Sequence, residues 1–277
     1  MKRYNVQKDH NNIFVTEYNS INEFITDINS LPNNEYFKER TPSSQKKENN
    51  DNGWCRSEDY ARATYLLTHG WDSAAEKMSK GVKLTSGVST AVRSSKPAYG
   101  VVGSQASVPR YLQGIPTNMI SRQATYSKQK VVTITKGISY AGFWSSDDIL
   151  KEGIKALQII QSLESAGQRV RLNVMIATGR DSGKGENSSI CKVCVKQPDE
   201  RLNISKMSFA LAHPAMLRRF FFKWIEVDPF VGFDVGSGYG TPSSSSVKNM
   251  AMAENEYYIP EKIDNIEALV KELSGKK

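Results

Sequence analysis

Residues 177–188 read ATGRDSGKGENS, and a glycine-rich loop carrying a lysine is the kind of sequence whose backbone amides and ammonium can cradle a phosphate. A phosphate loop joins a strand to a helix, because the helix N-terminus supplies the free amides. Here an alternating run, Ser189 to Lys196, follows instead. Gly179 and Gly183 are also separated by three residues where four are needed, and Gly185 stands in place of the metal-binding hydroxyl. The loop is therefore expected to be the tip of a long hairpin, with Lys184 as a basic residue on it.

The other candidate constellations fare similarly. Cys191 and Cys194 have the CxxC spacing of a redox or half-zinc site, but no second pair completes four ligands. In a strand, period two puts Cys191 with Val193 and Val195 and turns Cys194 to the other face with Lys192 and Lys196. Asp147 and Asp148 follow Ser146 at the start of a helical pattern, where carboxylates complement the helix dipole. His10, His69 and His213 lie far apart in sequence; His69 precedes a helix-ending glycine and His213 precedes Pro214. A von Willebrand A-like metal site would need an aspartate where Lys136 and Gly137 stand, and Ser139 alone fits it. No catalytic residue, metal or cofactor is expected.

The elements that must position any site are clearest from residue 130 onward. Val131–Lys136 alternate as a strand. Ile149, Leu150, Ile154, Leu157, Ile160 and Leu163 recur at helical spacing between a capping Ser146 and Gly167. Arg169–Ile176 and Ser189–Lys196 alternate as strands, 204–219 reads as helix broken at Pro214, and Phe220–Val227 reads as a fourth strand. The order βαββαβ predicts an α+β protein with a ferredoxin-like core over 130–228. A Rossmann-like or metal-free von Willebrand A-like α/β sheet is the alternative. Residues 1–52 are read as an N-terminal helix and polar linker, 53–129 as a helical hairpin and a Ser/Gly-rich arm, and 229–277 as a Gly/Ser loop and closing helix.

The 277 residues hold 37 Lys and Arg against 29 Asp and Glu, a formal +8 that favours polyanionic partners. Three cysteines in a long chain suggest thiols in a reducing compartment. No apolar run approaches a membrane span, and MKRYNVQKDHNN leads into no signal-peptide core, so no membrane partner is expected.

If the four strands form one sheet with both helices on one side, parity sorts their residues. Val132, Ile134, Val170, Leu172, Val174, Ile176, Cys191, Val193, Val195, Phe220, Phe222 and Trp224 would be covered. Thr133, Thr135, Arg169, Arg171, Asn173, Lys192, Lys196, Phe221 and Lys223 would face outward. That face would carry five cations, one aromatic ring and no acid, a composition suited to single-stranded nucleic acid. Arg169, Arg171, Lys192, Lys196, Phe221 and Lys223 are the predicted contact residues. The alternative is a structural or assembly protein that acts through protein-protein contacts, including contacts with further copies of itself.

VPRYLQGIPTNM (108–119), Gly70-Trp71, FALAHPAMLRRFFF (209–222) and GSGYGTP (236–242) occur in an order that resembles an uncharacterised domain family of bacteriophage and mobile-element proteins. The resemblance spans 53–242 and brings no catalytic residues with it. It implies a viral or mobile-element origin, with work in the host cytoplasm or the virion, and makes phage structural proteins the partners of the assembly alternative.

Overall fold

A computed structural model describes residues 1–8, 11–34, 37, 43–45, 54–83, 96–123, 130–181, 186–228, 248–249 and 251–275. The chain opens on two strands, β1 (Lys2–Lys8) and β2 (Asn11–Tyr18), followed by α1 (Ile21–Ser30). Two helices come next, α2 (Tyr60–His69) and α3 (Asp72–Lys83). A separate small sheet holds β3 (Lys96–Gly100), β4 (Gln105–Ala106) and β5 (Met119–Gln123), with the short α4 (Val108–Leu112) between the last two. The central part runs β6 (Val131–Gly137), α5 (Ser146–Ser165), β7 (Arg169–Asp181), β8 (Glu186–Lys196) and α6 (Ile204–Ala212). A π-helix (Met216–Phe221) leads into α7 (Phe222–Val227), and β9 (Glu256–Ile259) and α8 (Ile266–Gly275) close the chain.

The α+β class stands, but the ferredoxin-like strand order is not found. The six-stranded sheet has the order β1-β2-β8-β7-β6-β9. β6 and β7 are adjacent and parallel, with Val131 opposite Arg169, whereas a split βαβ unit would leave a strand between them. β9 adds on the far side of β6, also parallel, so β7, β6 and β9 form a parallel run at one end of a mixed sheet. β7 and β8 pair antiparallel out to Asp181 opposite Glu186, which makes the loop a hairpin tip as expected. Gly183, Lys184 and Gly185 themselves lie outside the described residues.

The expected fourth strand is helical. Every residue from Phe209 to Asp228 is buried, and a helix that is apolar on all sides is one enclosed by protein. Phe220 packs near Tyr60 and Phe209, and Phe221 near Phe24, so the aromatic run fills the space between α1, α2 and α6. His213 ends α6, accepts the Ala215 amide on Nδ1 and stacks on Phe209 with Trp71 edge-on.

Helices α5 and α6 cross at Gly153, where an added Cβ would collide with the Ala212 methyl and lie 3.0 Å from its Cα. Glycine lets the two backbones approach. Gly153→Val is expected to lower stability by about 1–3 kcal/mol through overpacking, measured as a shift in the urea midpoint. Gly70 ends α2 at φ +104°, and its amide caps Leu66. A side chain there would also run into Ser205.

Candidate nucleic-acid interface

The main sheet presents no open basic face among the described residues. On one side Val132, Ile134, Val170, Leu172, Val174, Ile176, Cys191 and Val193 join the helices in the principal core, as parity predicts. On the other side Met175, Ala177, Ile190, Ile13 and Val15 form a second core with Ala251. The chain near residue 251 thus covers the surface expected to be free.

Lys192 is buried there, not extended into solvent. Its Nζ donates to Ala251 O at 2.6 Å and to Glu256 Oε2 at 2.7 Å, with Glu17 at 3.5 Å. Glu256 also accepts from the Thr135 hydroxyl, from Asn173 Nδ2 at 3.3 Å and from the Ala253 amide at 3.1 Å. Burial alone would raise the Glu256 carboxyl, but the Lys192 ammonium and these donors hold it below the usual carboxylate range. The Thr135, Asn173 and Lys192 side chains meet on one face as predicted. They converge on an internal carboxylate.

Lys196 does not share that face. A register shift sets Leu172 opposite Lys196 but Asn173 opposite Cys194, leaving Val195 as the extra residue. Such a bulge inverts the alternation beyond it. Lys196 therefore turns toward α5, where Nζ meets Glu164 at 2.6 Å and donates to Val170 O and Gln197 O. Phe221 lies in the core, and Lys223 sits on α7, donating to Asn33 Oδ1 at 2.8 Å. Arg169 is exposed and Arg171 partly so, on β7. Of the six predicted contact residues, only these two arginines keep solvent access on a strand.

Lys136 is the most perturbed amine. Its Nζ donates to Gly137 O, Pro260 O and Glu261 O at 2.6–3.0 Å, pinning the chain after β9 to the end of β6. Burial pushes its pKa down to about 7 against the opposing pull of the Glu261 and Glu152 carboxylates. The unfolded amine keeps its proton to about pH 10.4. The folded state therefore binds fewer protons between those values, and this group should make stability rise with pH across that interval. NMR of labelled lysine should show the Lys136 resonance titrating near pH 7; a resonance still protonated at about pH 9 would contradict the burial described.

A groove of about 650 Å³ lies at the carboxyl ends of the parallel pair β2 and β8, beside the first turns of α1 and α6. Its polar groups are largely engaged by the chain itself. Ser20 caps α1, Asn203 caps α6, and Glu200, its one carboxylate, accepts the Gln197 amide. The Thr68 hydroxyl on its wall lies 2.9 Å from His69 Nδ1 and is also within reach of the Thr64 and Tyr65 carbonyls of its own helix.

The positive charge lies elsewhere. From Lys77 to Ser146 the sequence holds ten Lys and Arg residues and no Asp or Glu, more than the whole chain's net +8. Sorting charges by strand parity missed this run; plotting them along the chain would have found it. The described heart of the stretch is the small sheet at 96–123, whose strands pack chiefly on one another. Helix α4 buries no residue. Within the module the Arg110 guanidinium lies 4.0 Å from the Tyr99 ring centroid and donates to Thr117 O at 3.1 Å. Tyr99 is 50% exposed and Tyr111 68%. Two open rings and a stacked guanidinium, with no carboxylate in the module, make a surface on which bases can stack and phosphates meet no like charge.

The motif residues divide between this module and the core. Gly70 ends α2 and Trp71 packs edge-on against His213; Arg218 donates to Trp54 O and to Trp144 O and lies over the Trp54 ring. Arg219 donates to Ser44 O at 2.7 Å. VPRYL forms α4 of the module, and 236–242 lies outside the described residues. A family described as a domain of unknown function (DUF7192) matches residues 3–272, nearly the whole chain. The chain belongs to the DUF7192 family. This DUF7192 chain matches no curated protein and no solved structure. Among its described residues no three His, Cys, Asp or Glu side chains gather as a metal site, and no helix is long and apolar enough to cross a membrane.

Proposed function

We propose that this DUF7192 protein is a non-enzymatic nucleic-acid-binding protein that holds single strands against the acid-free stretch containing the 96–123 module. The observation that carries this reading is the partition of charge: setting aside the buried Lys136, nine Lys and Arg and no acid lie between Lys77 and Lys130, against a small acidic excess in the rest of the chain. A polyanion gains counterion release from such a run without meeting a repelling carboxylate. Tyr99, Arg110 and Tyr111 supply the stacking surface, and every base offers a π-face to it. The resemblance of its motifs to phage and mobile-element proteins favours a role in handling such genomes in the host cytoplasm.

The test is a fluorescence-anisotropy titration of labelled single-stranded DNA and RNA of mixed sequence at two salt concentrations. Binding that weakens steeply with salt and varies little with sequence is expected. Absence of binding at the lower salt would end the proposal.

A further inference from the structure

Stacking and phosphate contacts leave one property of the module unexplained. Between residues 101 and 112, Val101, Val102, Val108 and Leu112 are 74, 84, 63 and 78% exposed. Aliphatic side chains offer little to phosphates or base planes, whereas several of them beside the exposed Tyr99 and Tyr111 and the half-buried Arg110 resemble the composition of a protein contact. We infer that this aliphatic surface docks onto α8 of a second copy of the chain, head to tail.

Charge selects that occupant. Module against module would set Arg110 and the other cations of an acid-free stretch against their own kind, so a symmetric contact is disfavoured. α8 and the segment before it carry the complement: Glu254, Asp264, Glu267 and Glu272 are exposed there against Lys262 and Lys271, while Glu256 and Glu261 pair inward. Ile266, Leu269 and Val270 pack against the core yet are only partly buried, which leaves apolar surface beside those acids. The module of one copy therefore meets both an apolar strip and an opposite charge. A contact between two different surfaces leaves each copy free to bind another, giving a chain or a ring. This inference does not require nucleic acid.

Light scattering of the full chain, freed of nucleic acid by nuclease and high salt, tests it over about three decades of concentration. The mean mass is expected to rise with concentration. Val101→Ser, Val102→Ser and Leu112→Ser together should weaken association by about tenfold or more. Their thermal midpoints should stay unchanged, since the side chains replaced are exposed. Arg110→Glu and Glu267→Lys should each weaken association, and the two combined should restore part of it. A single-chain mass at every concentration, association unaffected by these changes, or mass that grows only when nucleic acid is added would overturn the inference. A chain that binds DNA but never self-associates would leave the nucleic-acid reading intact.

Discussion

Glu256→Ala is expected to cost about 3–5 kcal/mol of unfolding free energy, because it strips a buried ammonium of its closest counter-charge. Lys192 and Glu256 are both about 95% buried at their side chains, and the second carboxylate near Lys192, Glu17, is farther away at 3.5 Å. The same change also removes the acceptor of the Thr135 hydroxyl and of the Ala253 amide, while Asn173 Nδ2 keeps Thr135 Oγ1 as its acceptor at 3.1 Å. Lys192→Met combined with Glu256→Leu should recover most of the loss, since an apolar pair of similar volume carries no uncompensated charge. Chemical denaturation of the parent, Lys192→Met, Glu256→Leu and the double variant gives the coupling directly.

The pH dependence has a definite sign. Glu256 has its folded pKa below the unfolded value, so its contribution is present above the ordinary carboxylate range and is lost as pH falls through the folded value. The parent should therefore lose more stability than Glu256→Ala on going from about pH 7 to about pH 4. Equal acid sensitivity in the two proteins would show that the carboxylate is not held by Lys192.

The second large effect concerns binding. Tyr111→Ala and Tyr99→Ala are each expected to weaken single-strand affinity by about 1–3 kcal/mol, the usual worth of one stacked base. Arg110→Ala removes both a charge and the cation over Tyr99. It should weaken binding and make the dependence of log affinity on log salt shallower by about 0.7. Arg169→Gln with Arg171→Gln serves as the contrast, because both lie on β7, outside the acid-free stretch. Those changes should leave affinity within about twofold. The reverse ranking would return the binding site to β7.

Much of the framework is legible in local pattern. The hairpin of β7 and β8, the apolar stripe of α5 and the closing helix all follow from periodicity and caps within a few residues of each other. The inward face of β6, β7 and β8 was readable for the same reason. What failed depended on distant chain. Lys192 is sheltered by Ala251 and Glu256, about sixty residues away, and nothing near Lys192 announces that cover. The bulge at Val195 reverses the direction of Lys196 without any glycine or proline to mark it.

Other misses had local signals that pointed two ways. Phe220, Phe222 and Trp224 alternate with Phe221, Lys223 and Ile225, which reads as a strand until one sees that all six are buried. Burial on every side removes the amphipathic period by which a helix is recognised. β1 and β2 carry a modest alternation, Tyr4 and Val6, then Ile13 and Val15, and pair antiparallel from Lys2 opposite Glu17 to Lys8 opposite Asn11. Their place beside β8 is a long-range parallel pairing, outside the reach of a hairpin signal.

Hydrogen exchange of the protein with and without a saturating single-stranded oligonucleotide, read peptide by peptide, tests the central claim most directly. Slowed exchange should appear in peptides from 96–123, with β7 and β8 exchanging as they do in the free protein. Protection confined to 169–173 and 192–196, with 96–123 unchanged, would contradict the account.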